Sequence, residues 1–410
     1  MKNLKEADVK SKIVLVRCDF NVPIEDGKIT DNHRITEAMP TIQDLKKRGA
    51  KVVLMSHRGR PEKQKSFKKE GSFSSLKEVI FKEDREYSLK PIFKELEGML
   101  EHVEFVNDCI GKRVERKISK MSDGDVLLLE NLRYYEDERA CGEEFSKRLS
   151  EMGDIYVNNA FSAAHRNHAS ITGVAKYLPS YPGYIFEREI KVLSKIRDNP
   201  ERPLVAIIGG AKISSKSKTI KHFLEKADYV LVGGVVANTI LSIEGLTQAD
   251  YLPDEKVIKD LEDVNLTSQK LHLPVDVVAS SDYESYLRHT SVGKVRSEEE
   301  IYDLGPETIE LYSDIIREAE TIVWAGPLGF FEHEKFEDGT KLIGQRFVEN
   351  EDGLTVIGGG DTGAAMKKFG LRNYVDHVSL GGGAMLEFLS GGELPGLKAL
   401  KENEESKQSS

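Results

Sequence analysis

The stretch Leu204-Val205-Ala206-Ile207-Ile208-Gly209-Gly210 decides the fold of the second half of the chain. Five apolar residues in a row are typical of a strand buried on both faces, as in a parallel sheet. The glycine pair marks the point at which the strand ends and a helix follows. The same pattern returns in residues 229–234, 354–360 and 377–383, and residues 321–327 add a strand that ends in Ala-Gly-Pro. The second half is therefore predicted to be an α/β domain.

The first half alternates short apolar runs with helical patterns. The runs span residues 12–16, 52–55, 126–129 and 155–157, and apolar residues recur at helical spacing over residues 35–45 and 89–99. This alternation predicts a second doubly wound parallel-sheet domain. Prolines and glycines bracket a helical segment near residue 190, which is typical of an interdomain connector. We expect an N-terminal domain over residues 1–182, a hinge helix over 183–200, a C-terminal domain over 201–396 and a polar tail over 397–410 that is disordered from residue 401 onwards.

Composition excludes several classes of protein. The 410 residues carry a net charge of −10, which argues against a protein whose main task is to bind nucleic acid. No apolar run approaches the ~18 residues that a membrane span needs. Four of the first eight residues are charged, where a secretory signal would begin its apolar core, so we expect a cytoplasmic protein without a membrane partner. Three cysteines without CxxC spacing suggest neither a disulfide framework nor a zinc site.

The glycine loops predict a phosphate-binding edge. Glycines after a strand let the backbone approach phosphate, and the helix that follows points its amides and positive dipole end at the anion. Lys212 and Lys216 are spaced i, i+4 at a predicted helix start, where cations are unfavourable unless an anion binds between them. Asp361, inside the loop of residues 358–363, is a candidate Mg²⁺ ligand, although it could also merely cap the next helix.

Known motifs narrow the chemistry. GxxxxGK[ST], GxSxG and HExxH are all absent, so catalysis is expected to be electrostatic. Residues 358–363 fit GxGxxG, the dinucleotide fingerprint, and Asp376 lies in roughly the range for its ribose-binding acid. A dehydrogenase that binds NAD at this loop is therefore one alternative.

Arginines and histidines gather at the strand ends of the first half. They lie in residues 17–23, 56–61, 130–134 and 164–166, and Arg34 opens a helix. Planar guanidinium groups bind carboxylate and phosphate in two-point fashion. A non-catalytic binder of a phosphorylated metabolite or of nucleic acid is a second alternative, but it would not need cations in one domain and glycine loops in the other.

These motifs closely resemble the phosphoglycerate kinase family, and its archaeal branch in particular. The resemblance spans nearly the whole chain and rests on nine ordered motifs, which are residues 17–23, 31–35, 56–61, 130–134, 164–166, 209–216, 324–332, 358–362 and 381–384. It implies a hinge-bending kinase of glycolysis and gluconeogenesis. The enzyme would move phosphoryl reversibly between 1,3-bisphosphoglycerate and ADP, giving 3-phosphoglycerate and MgATP.

The resemblance also implies site residues in both domains. The N-terminal domain would bind 3-phosphoglycerate through Arg17, Asp19, Asn21, Arg34, His57, Gly59, Arg60, Arg133 and Arg166. The C-terminal domain would bind nucleotide through Gly209, Gly210, Ala211, Lys212, Lys216, Gly233, Gly234, Glu332, Gly359, Gly360, Asp361 and Thr362. Arg34, Lys212 and the amides near Gly359 and Gly382 would stabilise the transferring group, and Asp361 would ligate or orient Mg²⁺.

The sequence departs from the family pattern at several positions. Asn159 and Ser215 stand where many members have Asp, Ser162 where the common motif has Gly, Ala325 where Asn is frequent and Leu380 where many have Thr. These positions touch the implied nucleotide and interdomain regions, so affinity, metal geometry or nucleotide preference could differ.

Overall fold

The computed structural model describes residues 1–61, 86–211, 213, 216–249, 255–282 and 286–408. The chain divides into two units. Unit 1 comprises Met1–Ile190 and Glu393–Ser410, and unit 2 comprises Lys191–Gly392. Within the described ranges, no helix combines the length and the apolarity that crossing a membrane requires.

Unit 1 is built on a six-stranded parallel sheet of order β5-β6-β4-β1-β7-β8. Between β1 and β4 the chain also forms a two-stranded antiparallel hairpin, β2-β3. The strands are β1 (Ile13–Arg17), β2 (Ile24–Glu25), β3 (Lys28–Ile29), β4 (Lys51–Met55), β5 (Val103–Phe105), β6 (Val126–Leu128), β7 (Ile155–Asn158) and β8 (Ser180–Pro182). The central strand β1 pairs Leu15 with Val53 on one side and with Tyr156 on the other. All three side chains are fully buried, as the continuous apolar runs predict.

Helices connect these strands. They are α1 (His33–Lys47), α2 (Lys90–Met99), α3 (Lys112–Ile118), α4 (Glu136–Ala140) and α5 (Glu143–Ser150), while α6 (Tyr184–Asp198) follows the last strand and contains the boundary between the two units. In α1, the apolar residues at i, i+3 and i+4 spacing, among them Ile35, Ile42 and Leu45, are fully buried. The helix ends just before Gly49, whose φ of +77° suits glycine. The predicted helices over 35–45 and 89–99 are confirmed.

Unit 2 repeats the design with a parallel sheet of order β11-β10-β9-β15-β16-β17. Its strands are β9 (Leu204–Ile208), β10 (Tyr229–Val232), β11 (Leu271–His272), β15 (Thr321–Ala325), β16 (Leu354–Gly358) and β17 (His377–Ser379). The five strands that the glycine pattern predicts are all present. Trp324 of β15, the largest fully buried side chain, packs edge-on against Phe347 with ring centroids 5.5 Å apart.

The remaining elements of unit 2 are helices and a small antiparallel sheet. The helices are α7 (Ser217–Lys226), α8 (Gly234–Ile243), α9 (Glu255–Leu261), α10 (Pro306–Arg317), α11 (Asp338–Glu349), α12 (Gly360–Lys368) and α13 (Gly383–Leu389). The antiparallel sheet has order β13-β12-β14, with β12 (Asp276–Ser280), β13 (Arg288–Ser291) and β14 (Glu300–Leu304). The sequence analysis did not predict this sheet.

The predicted disordered tail is wrong. Residues Pro395–Gln408 form a helix, α14, which belongs to unit 1. Asn403 anchors it, because its amide nitrogen donates to the carbonyl oxygens of Ala175 (2.9 Å) and Leu178 (2.8 Å) and its Oδ1 accepts from the amide of Ser180 at 2.9 Å. The polar composition of the segment reflects its exposed face, while Leu400 is buried.

Candidate active site

The unit 1 site lies at the position in the parallel sheet where the order of the strands reverses. From β1 the chain runs to β4 on one side and later to β7 on the other, so the loops after these three strands meet at one carboxyl edge. Such switch points are the usual ligand crevices of open α/β sheets. The loops contain the predicted residues Asp19, His57 and Arg166.

Arg17, the last residue of β1, is fully buried. Its Nε donates to Ser170 Oγ at 2.8 Å, Nη1 donates to the Cys18 carbonyl, and Nη2 donates to Nδ1 of His57 at 3.0 Å. The buried guanidinium therefore contacts the pocket residue His57 and is not itself exposed in the pocket. A direct contact of Arg17 with substrate stays a prediction.

Asp19 is the acidic centre of the pocket. Its Oδ2 accepts hydrogen bonds from Arg34 Nη1 and from Ser162 Oγ. Burial alone would raise the pKa of this carboxyl group, but the charge of Arg34 and the Ser162 hydroxyl together hold the pKa well below its ordinary value. Ser162 is a contact that the sequence analysis noted only as a departure from the family pattern.

The cations of the pocket crowd one another. Burial lowers the pKa of His57, and Arg17, Arg133 and Arg166 lower it further, while Asp19 opposes the shift. Burial and the neighbouring Arg166 lower the pKa of Arg133 to about 10. Burial likewise lowers the pKa of Arg166. Such a surplus of positive charge is unfavourable without an anion.

A fully buried amide holds the pocket's loops together. Asn131 Oδ1 accepts from the backbone amides of Arg58 (3.2 Å) and Arg133 (3.0 Å), and its Nδ2 donates to the carbonyl oxygens of Arg58 (2.7 Å) and Tyr87 (2.9 Å). The sequence analysis quoted Asn131 within a motif but gave it no role.

Three more predicted residues join this loop. The amide of Gly59 donates to Asn21 Oδ1 at 3.0 Å, and its carbonyl oxygen accepts from Arg133 Nη1 at 2.6 Å. Arg60 is exposed. Burial is the main cause of the lowered pKa of Arg166, and the positive charge of Arg60 lowers that pKa further. Apart from the buried Arg17, the predicted cations and their one carboxylate thus form a pocket suited to a small anion.

The unit 2 site lies at the carboxyl edge between β9 and β15, again the point where the chain reverses. The Gly209 amide donates to the Ala325 carbonyl oxygen at 3.0 Å, and the Gly210 amide donates to the Pro327 carbonyl oxygen at 2.7 Å. A Cβ on Gly209 would lie 2.1 Å from that same Pro327 oxygen, so the two loops need glycine to approach this closely.

Lys216 precedes α7 and points back at these loops. Its Nζ donates to the carbonyl oxygens of Gly209 and Ala325, each at 2.6 Å. Burial lowers the pKa of the ammonium to about 8, and the negative charge of Asp361 opposes the shift. A half-buried ammonium at the end of this glycine loop is suited to bind phosphate.

The β16 and β17 loops adjoin each other. Gly359 has a φ of +101° and Gly382 a φ of +47°, and a Cβ on Gly382 would lie 3.6 Å from the Gly359 Cα. Thr362 Oγ1 donates to the Gly358 carbonyl oxygen at 3.0 Å and accepts from the Gly326 amide at 2.7 Å. Asp361 is exposed in the first turn of α12, whose free amides start at Gly360.

The residues expected near base and ribose also lie on this edge. Gly234, at a φ of +59°, donates its amide to the Leu328 carbonyl oxygen at 2.7 Å. A small cavity beside it is lined by apolar residues such as Leu304 and Leu328 and by the polar residues Asn238, Tyr302 and Asp303. Gly233 precedes α8, and Glu332 is exposed. Ala211 is exposed after Gly210, whereas Lys212 and Ser215 lie outside the described residues.

The NAD alternative does not fit this geometry. The third glycine of a dinucleotide fingerprint allows close helix–strand packing, yet a Cβ on Gly363 would meet no atom within 4 Å. Asp376 precedes β17, and its Oδ2 accepts from the Thr355 amide (2.8 Å) and hydroxyl (2.7 Å). Asp376 and Thr355 lie at the amino-terminal edge of the sheet, opposite the glycine loops. Asp376 therefore cannot reach a ribose bound at those loops.

The structure shows the surroundings of three positions at which the sequence departs from the family pattern. Asn159 Oδ1 accepts from Thr41 Oγ1 and from the Ile185 amide, each at 3.1 Å, and so caps α6. Ala325 contributes a carbonyl oxygen to Lys216, which any residue could supply. Leu380 is buried after β17.

The donor set is compatible with magnesium. Mg²⁺ usually binds one or two carboxylates together with water and substrate phosphate oxygens. Asp361 offers one exposed carboxylate beside Lys216 and the loop amides. Among the described residues, no cluster of three or more His, Cys, Asp or Glu side chains could hold a metal by itself. Asp361 could therefore hold the ion only with the help of a phosphate-bearing ligand.

Two parallel-sheet α/β units, one with an arginine-rich anion pocket and one with a nucleotide-type glycine edge, define a kinase that acts on a small anionic molecule. The chain belongs to the phosphoglycerate kinase family, whose model matches residues 4–392. This family of kinases transfers phosphate to the carboxyl group of 3-phosphoglycerate.

Individual relatives agree with this assignment. The chain is 43% identical over 406 residues to the phosphoglycerate kinase of Moorella thermoacetica, covering 97% of this chain and 98% of that protein. It is 41% identical over 408 residues to that of Borrelia duttonii, covering 98% and 99%. The solved phosphoglycerate kinase of Coxiella burnetii matches with a TM-score of 0.81 at 35% identity, covering 97% and 98%. The expected archaeal branch is not supported, since these relatives are bacterial.

Proposed function

We propose that the chain transfers phosphoryl reversibly between 1,3-bisphosphoglycerate and ADP, with 3-phosphoglycerate bound by unit 1 and MgADP or MgATP bound by unit 2. The observation that carries the proposal is the cluster of cations at the carboxyl edge of the unit 1 sheet, where Arg34 pairs with Asp19 and where Arg133 and Arg166 lie close enough to His57 to lower its pKa. A phosphate and a carboxylate at the two ends of one small molecule would supply the matching negative charge.

In this proposal, the residues of unit 1 bind and orient the glycerate. Asp19 holds Arg34 by an ion pair, which leaves the remaining guanidinium N–H groups available for phosphate or carboxylate oxygens. Asn131 fixes the loop that contains Gly59 and Arg60 against Arg133. No general base is required, because a carboxylate or phosphate oxygen is already a competent nucleophile.

The residues of unit 2 bind the nucleotide phosphates. Amides around Gly359 and Gly382 and the ammonium of Lys216 would stabilise the phosphoryl oxygens. Lys212 lies outside the described residues, so its proposed role in stabilising the transferring group rests on the sequence alone. Asp361 would hold Mg²⁺, which when bound supplies positive charge at the phosphates.

The wider context is proposed from the family and the composition. We place the enzyme in glycolysis and gluconeogenesis in the cytoplasm, without a membrane or nucleic-acid partner, in agreement with the net charge of −10. The hinge role of residues 183–200 stays a prediction.

A coupled assay tests the proposal. ADP formation is followed with 3-phosphoglycerate and MgATP together and with each omitted, for the native protein, for Arg34→Ala and for Arg317→Ala. Arg317 is an exposed arginine of α10 paired with Asp314 and serves as the matched control. We expect turnover that needs both substrates, a loss on the order of a thousandfold in Arg34→Ala and native activity in Arg317→Ala. Native protein without turnover, or Arg34→Ala with full activity, would contradict the proposal.

A further inference from the structure

We propose that Glu138 and Ser170 are positioning residues that act through Arg17 to fix which ring nitrogen of His57 carries its proton. The inference rests on the proposed binding of 3-phosphoglycerate in the unit 1 pocket, where His57 is one of the expected contacts. Neither Glu138 nor Ser170 belongs to the residues that the family resemblance implies for binding or catalysis. Both are fully buried beneath the pocket.

Glu138 binds Ser170 through both carboxylate oxygens. The Ser170 hydroxyl donates to Oε1 at 2.6 Å, and the Ser170 amide donates to Oε2 at 2.9 Å. One titratable neighbour, His168, has its Nδ1 3.7 Å from Oε1, but burial lowers the pKa of His168 to about 3 and keeps that ring neutral. Ser170, rather than a cation in direct contact, is therefore the main partner of this buried carboxylate.

The geometry gives the Ser170 hydroxyl a direction. A hydroxyl has one proton, and here the proton points at Glu138, so a lone pair of Oγ faces Arg17 Nε at 2.8 Å. With Nε held in this way, Nη1 donates to the Cys18 carbonyl and Nη2 reaches His57 Nδ1 at 3.0 Å. All three guanidinium nitrogens are engaged, which fixes the plane of Arg17.

The contact with Arg17 decides the tautomer of His57. A guanidinium can only donate, so His57 Nδ1 must accept, and the neutral ring carries its proton on Nε2. Asp19 Oδ1 lies 4.0 Å from Nδ1, too far to compete for a proton there. The charged groups that face His57 are Asp19, Arg17, Arg133 and Arg166. The Nε2–H group then offers a fixed donor to an anionic oxygen of the substrate.

A carboxylate is needed at the start of this chain of contacts. In Glu138→Gln, an amide nitrogen next to Ser170 Oγ would donate to it and turn the Ser170 proton towards Arg17. An amide nitrogen on the other side would instead meet the Ser170 N–H, so one hydrogen bond is lost in either orientation. The substitution keeps the size of the side chain, which separates the hydrogen-bond direction from packing.

The test compares the full-length native protein with Glu138→Gln, Ser170→Ala and Ser170→Thr. Nitrogen-15 NMR of the histidine rings, with His57 assigned from a His57→Gln sample, reports the tautomer without substrate, and steady-state kinetics report KM for 3-phosphoglycerate and for MgATP. We expect Nδ1 of His57 to be an unprotonated hydrogen-bond acceptor in the native protein and Ser170→Thr, and to lose that signature in the other two variants. In those two, KM for 3-phosphoglycerate should rise roughly tenfold while KM for MgATP stays native.

Three results would overturn the inference. One is an unchanged His57 signal in both Glu138→Gln and Ser170→Ala. Another is a Ser170→Thr variant as impaired as Ser170→Ala, which would indicate packing alone. The third is a lower KM for 3-phosphoglycerate in Glu138→Gln, expected if Glu138 only reduces the positive potential of the pocket. The NMR signal needs no substrate, so it decides this inference even if Arg34→Ala shows that the proposed pocket is wrong.

Discussion

The Lys216 ammonium donates to the Gly209 carbonyl oxygen at 2.6 Å, which places a cation directly under the phosphate-type loop that ends β9. The same ammonium also bonds the last carbonyl of β15, so it joins the two strands at which the sheet reverses. An ammonium has three N–H donors, so Lys216 can bind a phosphate oxygen through the third while it keeps both carbonyl partners.

This arrangement predicts a pH-dependent nucleotide affinity. Burial holds the pKa of Lys216 at about 8, so the ammonium loses its charge as pH rises through that value. The dissociation constant of MgADP should therefore increase between pH 7 and pH 9, by up to about tenfold. Titration calorimetry at the two pH values measures it. Lys216→Gln should bind weakly and without this pH dependence; an equal pH response in that variant would assign the titration to another group.

The glycines of the unit 2 edge differ in how much room they leave for a side chain, and we expect Gly326 to be the most sensitive to substitution. Its φ is +99°, and a Cβ would lie 2.2 Å from the Gly209 carbonyl oxygen and 2.5 Å from Lys216 Nζ. Gly326→Ala should lower the free energy of unfolding by about 2–5 kcal/mol and weaken nucleotide binding. Denaturant unfolding measures the first effect and MgADP titration the second.

Gly363→Ala is the matched control for this prediction. Gly363 lies inside α12, and a Cβ there would meet nothing within 4 Å. Alanine is the better helix former, so the variant should gain about 0.5–1 kcal/mol. If Gly363→Ala destabilised the protein as much as Gly326→Ala, close packing of the loops would not be the reason that these glycines are needed.

The sequence predicted the parallel sheets well because their strands are buried on both faces. Runs such as Leu204–Ile208 are apolar throughout, and the glycines after them fix where each strand ends. The edge strands β5, β8 and β11 were missed because they lack a continuous apolar run, with the sequences Val-Glu-Phe, Ser-Tyr-Pro and Leu-His. The antiparallel sheet was missed because β13, with the sequence Arg-His-Thr-Ser, is half exposed and has no apolar run.

The site was predictable in its residue types but not in its contacts. Strand-end arginines and glycine loops are visible in sequence, and a family resemblance assigns them roles. Glu138, Ser170 and Ser162 reach the pocket only through the fold, because 32 positions separate Glu138 from Ser170 and 143 separate Ser162 from Asp19. Isolated Ser and Glu residues carry no pattern that would single them out.

The C-terminal helix should stabilise unit 1 through one side chain. Asn403 satisfies the carbonyl oxygens of Ala175 and Leu178 and the amide of Ser180. Asn403→Ala leaves these backbone groups without their partner, and we expect a loss of about 2–4 kcal/mol in the free energy of unfolding. Thermal and denaturant unfolding measure the change.

Lys398 on the same helix provides the comparison. It forms an exposed ion pair with Glu393, a type of contact that contributes little. Lys398→Ala should change the free energy of unfolding by no more than about 0.5 kcal/mol. Equal effects of the two substitutions would show that the helix as a whole, rather than the Asn403 hydrogen bonds, determines the stability.

Asp19 predicts how stability depends on pH in the acid range. Arg34 and the Ser162 hydroxyl hold its folded-state pKa below the ordinary value, against the opposing effect of burial. An unfolded chain then binds more protons than the folded protein, so the stabilisation is present above the ordinary pKa of about 4 and is lost as pH falls below it. Asp19→Asn should consequently destabilise the protein at pH 7 and lose most of that effect near pH 2, as denaturant unfolding at both values would show.

Ser162→Ala removes one hydrogen bond to the charged carboxylate of Asp19 and should lower the free energy of unfolding by about 1.5–3 kcal/mol at pH 7. A Ser162→Ala effect that was unchanged at pH 2 would mean that the hydroxyl stabilises the loop without involving the charge of Asp19.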